Sequence, residues 1–444
     1  MQDGPAGRDR AGEPLSTSRY PSPYQKARQD FLRARFLAVR VLWYNSRVTD
    51  SIAPSDRLAH VGLNAHLLSL TETYRGAGIN GHIHNLLQRL SAASPDLCLT
   101  AFLSEQRFIV PPGLNVYAVR WPTSRPLVRI VWEQLLLPRA IRVRQVDLLH
   151  GLAYALPLVS SCPMVVTIHD LTFYRFPKTL RPSRRLYLRA ATRSAVRRAE
   201  RVIAVSHQTK EELVHFLQVP AEKVDVIHNG VSEAFRPAPP EEVARFRSER
   251  GLPPRFILFL GTLEPRKNVV SLLEGFARWR KDSGLGMGTD GVKLVVAGAK
   301  GWYFKQIFAR AEELGLSSEL LFPGFLPEKE LPWWYRAAEC FVYPSLYEGF
   351  GLPVLEAMAC GTPVITSSVS SLPEVAGSAA ITVDPGDTVA LADAMGQVLG
   401  DAALRADMRQ AGLLQAKRFS WDRTALETAA VYRQVLGLEE ARLG

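Results

Sequence analysis

Residues 340–366 read CFVYPSLYEGFGLPVLEAMACGTPVIT. A buried apolar strand, CFVYPS, leads into a loop holding Gly349 and Gly351, and a helix from about Leu352 to Ala359 closes at Gly361. Strand, glycine loop and helix in this order form the unit of a parallel sheet with helices on its faces. The glycines let backbone approach a ligand, and the helix start, with its free N–H groups and positive dipole end, suits phosphate. Glu348 and Glu356 stand eight residues apart, one in the loop and one on the helix, and carboxylates are good acceptors for sugar hydroxyls. A solvated helix face produces such pairs too. Glu356, however, lies among Leu352, Val354, Leu355, Ala357 and Met358, where a carboxylate needs a partner.

The same texture extends in both directions. Upstream, Leu58–Asn64, Val146–His150, Met164–Ile168, Arg201–Ser206 and Val224–Ile227 read as short apolar strands alternating with helix-length segments. Prolines interrupt the pattern at FRPAPP, residues 235–240, and mark a linker. A second series follows, with strands at Phe256–Leu260, Lys293–Ala297, Leu320–Phe322, Cys340–Tyr343, Pro363–Thr366 and Ala380–Val383. The reading is α/β: two doubly wound domains facing a central cleft, with the ligand site at the carboxyl ends of the strands. Residues 1–56, rich in Arg, Ser, Pro and Asp without sustained period, are expected to be a partly disordered extension. Residues 57–236 and 237–419 are the expected domains, and 420–444 an expected C-terminal helix crossing back to the first.

Length and composition bound the function. The chain has 444 residues, 47% hydrophobic and 22% charged, which excludes intrinsic disorder throughout, collagen and small disulfide scaffolds. The four cysteines, 98, 162, 340 and 360, are scattered without a C-x-x-C pair or a nearby histidine at metal spacing, so a reducing cytoplasm fits and a zinc site does not. The first 30 residues lack the apolar stretch of a signal peptide, and no apolar run reaches the ~18 residues of a membrane span. The expectation is a cytoplasmic protein, soluble or peripheral on the inner face of a membrane. Net charge is +11, and Arg120–Lys210 alone holds 17 basic and 4 acidic residues. The basicity is therefore regional, and it favours an anionic partner.

The run Glu348–Gly349–Phe350–Gly351–Leu352–Pro353 through Glu356, followed by Ala357 and Cys360–Gly361–Thr362–Pro363–Val364, closely resembles the E-x7-E signature of glycosyltransferase family 4. Further matches lie in order along the chain from about Leu58: Thr167–Ile168–His169–Asp170, Val202–Ser206, Ile227–Val231, Gly261–Asn268 (GTLEPRKN), Val295–Gly298 and Phe322–Phe325. The resemblance implies a GT-B architecture of two Rossmann-like domains, with a nucleotide-sugar held mainly by the second. It also implies transfer with retention of anomeric configuration, no metal and no cofactor. A diphosphate leaving group must then be neutralised by Lys, Arg and helix-end amides.

The same resemblance assigns roles. Lys267 and Arg266 would contact the donor diphosphate; as ordinary helix-start residues they would oppose the dipole. Many relatives carry arginine directly after the first glycine of this loop, where this chain has Thr262. Glu356 would accept from the ribose hydroxyls and Glu348 would contact the transferred sugar. Backbone around Gly349, Phe350, Gly351 and Leu352 would serve phosphate or sugar. His169, ending the strand MVVTIHD, would approach the donor sugar, so His169, Glu348 and Lys267 form the expected catalytic set. Gly76 and Gly78, in the loop Tyr74–Gly81 ahead of HIHNLLQRL, would approach sugar and acceptor; the loop satisfies no dinucleotide fingerprint. The GTLEPRKN loop is similar to those of mannosyl- and rhamnosyltransferases, which makes GDP-mannose the first donor expected and a growing glycan or lipid-linked acceptor the second substrate.

Steps of four from Arg185 through Arg189 and Arg193 to Arg197 align arginines on one helix face. An anionic membrane surface or a lipid-diphosphate acceptor is the expected partner of that face, with an ordinary solvated face as the alternative. Two other classes compete. A non-catalytic nucleotide-sugar-binding protein would not need Glu348, Lys267 and Glu356 intact. A nucleic-acid-binding protein would need aromatic platforms or a reading helix, and neither is evident.

Overall fold

The computed structural model describes residues 57–70, 77–123, 125–177, 180–283 and 291–438; the N-terminal extension and Gly76 lie outside these. Every strand predicted above forms, within two residues at either end. The first sheet comprises β1 (Ala59–Asn64), β2 (Leu97–Leu103), β3 (Leu114–Ala118), β4 (Leu148–Gly151), β5 (Met164–Ile168), β6 (Arg201–Ala204) and β7 (Val224–Val226). Its order is β3-β2-β1-β4-β5-β6-β7, and all its pairs are parallel. Sequence reading omitted β2 and β3. The second sheet holds β8 (Arg255–Leu260), β9 (Val292–Ala297), β10 (Leu320–Gly324), β11 (Cys340–Tyr343), β12 (Val364–Ser367) and β13 (Ile381–Val383). It runs β10-β9-β8-β11-β12-β13, again all parallel.

The strands read as continuous apolar runs because helices cover both faces. β5 and β11 are buried at every residue. In each sheet the strand order reverses once, between β1 and β4 in the first and between β8 and β11 in the second. Loops leaving the carboxyl ends diverge there and open a crevice.

The described residues from Leu58 onward make one compact unit carrying both sheets. The last helix, Trp421–Leu436, lies against the first sheet: Ala425, Ala429, Val431 and Tyr432 share a core with Val61, Leu63, Ile83 and Leu99. Tyr432 Oη and His150 Nδ1, both buried, are 2.6 Å apart. The helix expected at HIHNLLQRL starts earlier, at Ala77, and takes Gly78 into its first turn rather than leaving it in a loop. Gly78 is exposed there, and a Cβ on it would meet nothing.

Candidate active site

The crevice of the second sheet gathers the predicted donor residues. The loop after β8 turns through a short 3-10 helix, Pro265–Lys267, and then the helix Val269–Asp282. The loop after β11 carries Ser345–Gly351 into the helix Leu352–Ala359, and Gly351 adopts φ 117 at its start, a region glycine reaches at little cost. Backbone ties the two loops: Leu346 N–H donates to Arg266 O at 2.8 Å.

Glu348 sits at the centre. Its Oε1 accepts from Lys267 Nζ at 2.5 Å, Ser345 Oγ at 2.7 Å and Tyr343 Oη at 2.9 Å, while Oε2 accepts from Arg266 Nη1 at 3.0 Å. Arg266 also donates to Glu264 and to the Tyr347 carbonyl. Burial alone would raise the Glu348 carboxyl, but the charges of Arg266 and Lys267 outweigh it and hold the group at about 2. Burial, with the Arg266 charge, keeps the Lys267 ammonium below its ordinary range. Arg266 thus stands beside Lys267 on one carboxylate. Thr262 packs by Gly301, where a Cβ would come within 2.9 Å of its Cγ2.

Among the described residues, Glu356 shares no hydrogen-bond partner with Glu348. Its Oε2 accepts from Tyr335 Oη at 2.9 Å, and burial pushes its carboxyl up to about 7 despite that bond. The sequence signal for a partner was its apolar company. Tyr335 and Tyr343 themselves were missed, although a tyrosine inside an otherwise apolar run announces a hydroxyl that needs an acceptor. The Phe350 ring is buried and packs against His228 and Phe419.

His169, at the end of β5, meets this loop from the first sheet. Its Nε2 lies 2.9 Å from Leu152 O, and its ring stands edge-on to His82 with centroids 4.6 Å apart. A Cβ on Gly349 would fall 1.8 Å from the His169 carbonyl oxygen, so only glycine permits this approach. Ser206 Oγ and Thr209 Oγ1 donate to the Gly349 carbonyl at 2.7 and 3.2 Å. Tyr347 Oη accepts from Leu171 N–H at 3.0 Å and donates to Glu212 at 2.6 Å. Lys267, Arg266, Glu348 and Gly349 therefore converge with His169 at one junction between the sheets.

The arginine face differs from expectation. Arg185 donates to Pro177 O, and Arg189 donates to Phe173 O with its guanidinium 4.6 Å over the Tyr174 ring. Both serve packing of the helix Pro182–Arg198, because four-residue steps drift around a 3.6-residue helix and carry one end of the row inward. Arg193 and Arg197 remain exposed.

A family model described as Glycosyltransferase Family 4 matches residues 76–235, and one described as Glycosyl transferases group 1 matches residues 240–415. O-antigen chain mannosyltransferase B of Escherichia coli is 32% identical over 270 residues, covering 61% of this chain and 70% of that protein. The chain belongs to glycosyltransferase family 4. A D-inositol 3-phosphate glycosyltransferase of Acidothermus cellulolyticus is 27% identical over 415 residues, 86% of this family 4 chain and 90% of its relative. The serotype-specific mannosyltransferase WbdA of Escherichia coli is 33% identical over 232 residues, but the match spans 28% of WbdA. Among solved structures, sucrose-phosphate synthase from Thermosynechococcus elongatus aligns with TM-score 0.66 at 21% identity over 85% of this chain and 99% of that one. Anabaena HepE, solved with UDP-glucose, aligns with TM-score 0.64 at 18% identity over 84% of this chain and 99% of that one. These likenesses show the GT-B fold, and the named relatives make the protein a glycosyltransferase.

Proposed function

We propose that this family 4 enzyme transfers a hexose, first of all mannose from GDP-mannose, with retention of configuration to a growing glycan or lipid-linked acceptor. The observation that carries the reading is two cations, Lys267 and Arg266, set on one buried carboxylate at the crevice of the second sheet. A donor diphosphate arriving there is a stronger partner for both cations than Glu348 is. Glu348, released from them, turns its acceptor oxygens to the hydroxyls of the transferred sugar, while Glu356 accepts from the ribose. The cations stabilise charge developing on the leaving diphosphate, whose oxygen takes the acceptor's proton in a front-face displacement. No side-chain nucleophile and no metal is needed in this scheme. Resemblance to two mannosyltransferases supports the sugar.

A thermal-shift screen over GDP-, UDP-, dTDP- and ADP-sugars tests the donor, because a ligand that binds only the folded state raises the melting temperature. A GDP-mannose shift that Lys267→Ala and Glu356→Ala abolish is expected. Retained shifts in both variants would refute the site, and an inverted anomeric centre in the product, read by NMR, would refute retention.

An anionic membrane surface is the second partner proposed. Gln134 bonds to Leu156 O and Leu158 N–H, and Arg198 to Leu158 O, so the helical segments around Gln134 share one surface with the helix Pro182–Arg198. These segments expose Leu127, Leu135, Leu158 and Leu186, and the helix also exposes Arg193 and Arg197. Apolar side chains interleaved with arginine suit an acidic lipid interface. Flotation with phosphatidylglycerol-containing vesicles, but not with pure phosphatidylcholine, is expected. Equal flotation of wild type and Leu127→Glu/Leu135→Glu/Arg193→Glu would sink the idea.

A further inference from the structure

The crevice of the first sheet, where β1 and β4 diverge, has its own polar pocket. Asn64 and Gly151, the last residues of those strands, are paired in register. Asn64, His66, Arg129, Glu133 and the small turn Ala153–Ala155 line the space, which has room for about one water-sized group. Gly151 permits the turn, since a Cβ there would be 2.7 Å from Ala155 O. Four polar atoms of these lining side chains lack a hydrogen-bond partner among the described residues: Asn64 Oδ1, Glu133 Oε2 and both ring nitrogens of His66. Asn64, His66 and Glu133 are each more than nine-tenths buried. Unpaired buried groups are costly, and a small polar group that both donates and accepts, a water or a ligand hydroxyl, offsets that cost in a space of this size.

The chemistry narrows the ligand. Burial, reinforced by Arg129, pushes the His66 imidazole down to about 3, so it is neutral and offers one donor and one acceptor. Burial raises the Glu133 carboxyl, against the pull of Arg129 and Asn64. The Arg129 guanidinium opposes a metal ion, the Glu133 carboxyl opposes phosphate, and four unpaired polar atoms oppose an apolar group. A hydroxyl, which donates and accepts, answers all of them. The pocket also adjoins the donor site: Leu152, whose carbonyl bonds His169, precedes the lining residue Ala153, and His169 in turn touches Gly349.

We infer that Asn64, His66 and Glu133 form a hydroxyl-recognition subsite that receives one hydroxyl of a neutral saccharide acceptor in place of a water and so determines acceptor specificity. The inference rests on the transferase reading above for what is done with the bound sugar, but not for its binding.

Saturation-transfer NMR on the full chain, with methyl α-D-mannoside, α-L-rhamnoside, β-D-glucoside and β-D-galactoside as probes and no donor present, tests it directly. At least one glycoside should bind, with affinity falling ten-fold or more in Glu133→Gln and in Asn64→Ala. A His66→Phe variant, which keeps a ring against Trp132, should lose the same binding, while all three keep the wild-type melting temperature within a few degrees and the wild-type donor shift. Binding of none of the four glycosides by wild type, or unchanged binding by folded Glu133→Gln and Asn64→Ala, overturns the subsite. A missing donor shift in wild type with glycoside binding intact would instead count against the transferase reading alone.

Discussion

Gly349 and His169 stand in backbone contact across the two sheets, the α-carbon of one against the carbonyl oxygen of the other. A methyl group cannot enter that space without parting the loop after β11 from the end of β5. Gly349→Ala is therefore expected to cost about 1–3 kcal/mol by overpacking and to abolish transfer, because Glu348 is the adjacent residue. Thermal unfolding and nucleotide release measure the two effects; full activity would show that the contact opens during turnover.

Lys267→Ala leaves Glu348 buried with Arg266 as its one remaining ion-pair partner. Breaking a buried pair from one side costs about 3–5 kcal/mol, and Arg266 should hold the loss near the lower figure. Lys267→Met/Glu348→Gln should recover much of it, since the stranded charge is gone. Chemical denaturation of both variants gives the comparison.

The same carboxylate sets an acid limit. Its folded value, about 2, lies below its unfolded value, so its contribution is present above roughly pH 4.5 and lost as pH falls toward 2. Glu348→Gln should lack that part of the acid transition in stability measured from pH 5 to 2.

Glu356 behaves in the opposite sense. Its folded value, about 7, lies above its unfolded one, so the stability it confers is full below roughly pH 4.5 and fades as pH rises through 7. Glu356→Gln should flatten the decline between pH 5 and 8, worth roughly 2–3 kcal/mol. If Glu356 accepts from the donor ribose as proposed, donor affinity should move the other way, strengthening from pH 6 to 8 as its carboxyl ionises. Titration calorimetry at both pH values checks it.

Tyr347→Phe removes one hydroxyl that accepts from Leu171 N–H and donates to Glu212. Glu212 keeps Arg175, but the Leu171 amide is left buried, at about 1–3 kcal/mol. Equal melting temperatures for variant and wild type would show that the junction does not depend on it.

The sheets and the loops that gather Arg266, Lys267 and Glu348 were legible because their signals are local: apolar runs of strand length, glycines at turns, a glutamate and two cations in short loops after strands. β3 escaped because LNVYA is a half-exposed edge strand with no such run, and β2, LCLTAFL, because an apolar heptad in one sequence fits a helix as well. What pairs with what was not legible. Arg185 and Arg189 look like their exposed neighbours until Pro177, Phe173 and Tyr174 come back to meet them. Asn64, His66 and Glu133 are spread over 70 residues and belong to no motif. Their grouping follows from β1 and β4 becoming neighbours, a property of topology and not of spacing.

The helix Trp421–Leu436 has a consequence for biosynthesis. The ribosome delivers β1 more than 350 residues ahead of Tyr432, yet His150 and the apolar face of the first sheet are completed by Ala425, Ala429 and Tyr432. Until that helix emerges, the chain carries an unfinished, sticky surface. Residues 57–236 made alone should aggregate or engage chaperones, and adding the closing helix in trans as a peptide should rescue their solubility.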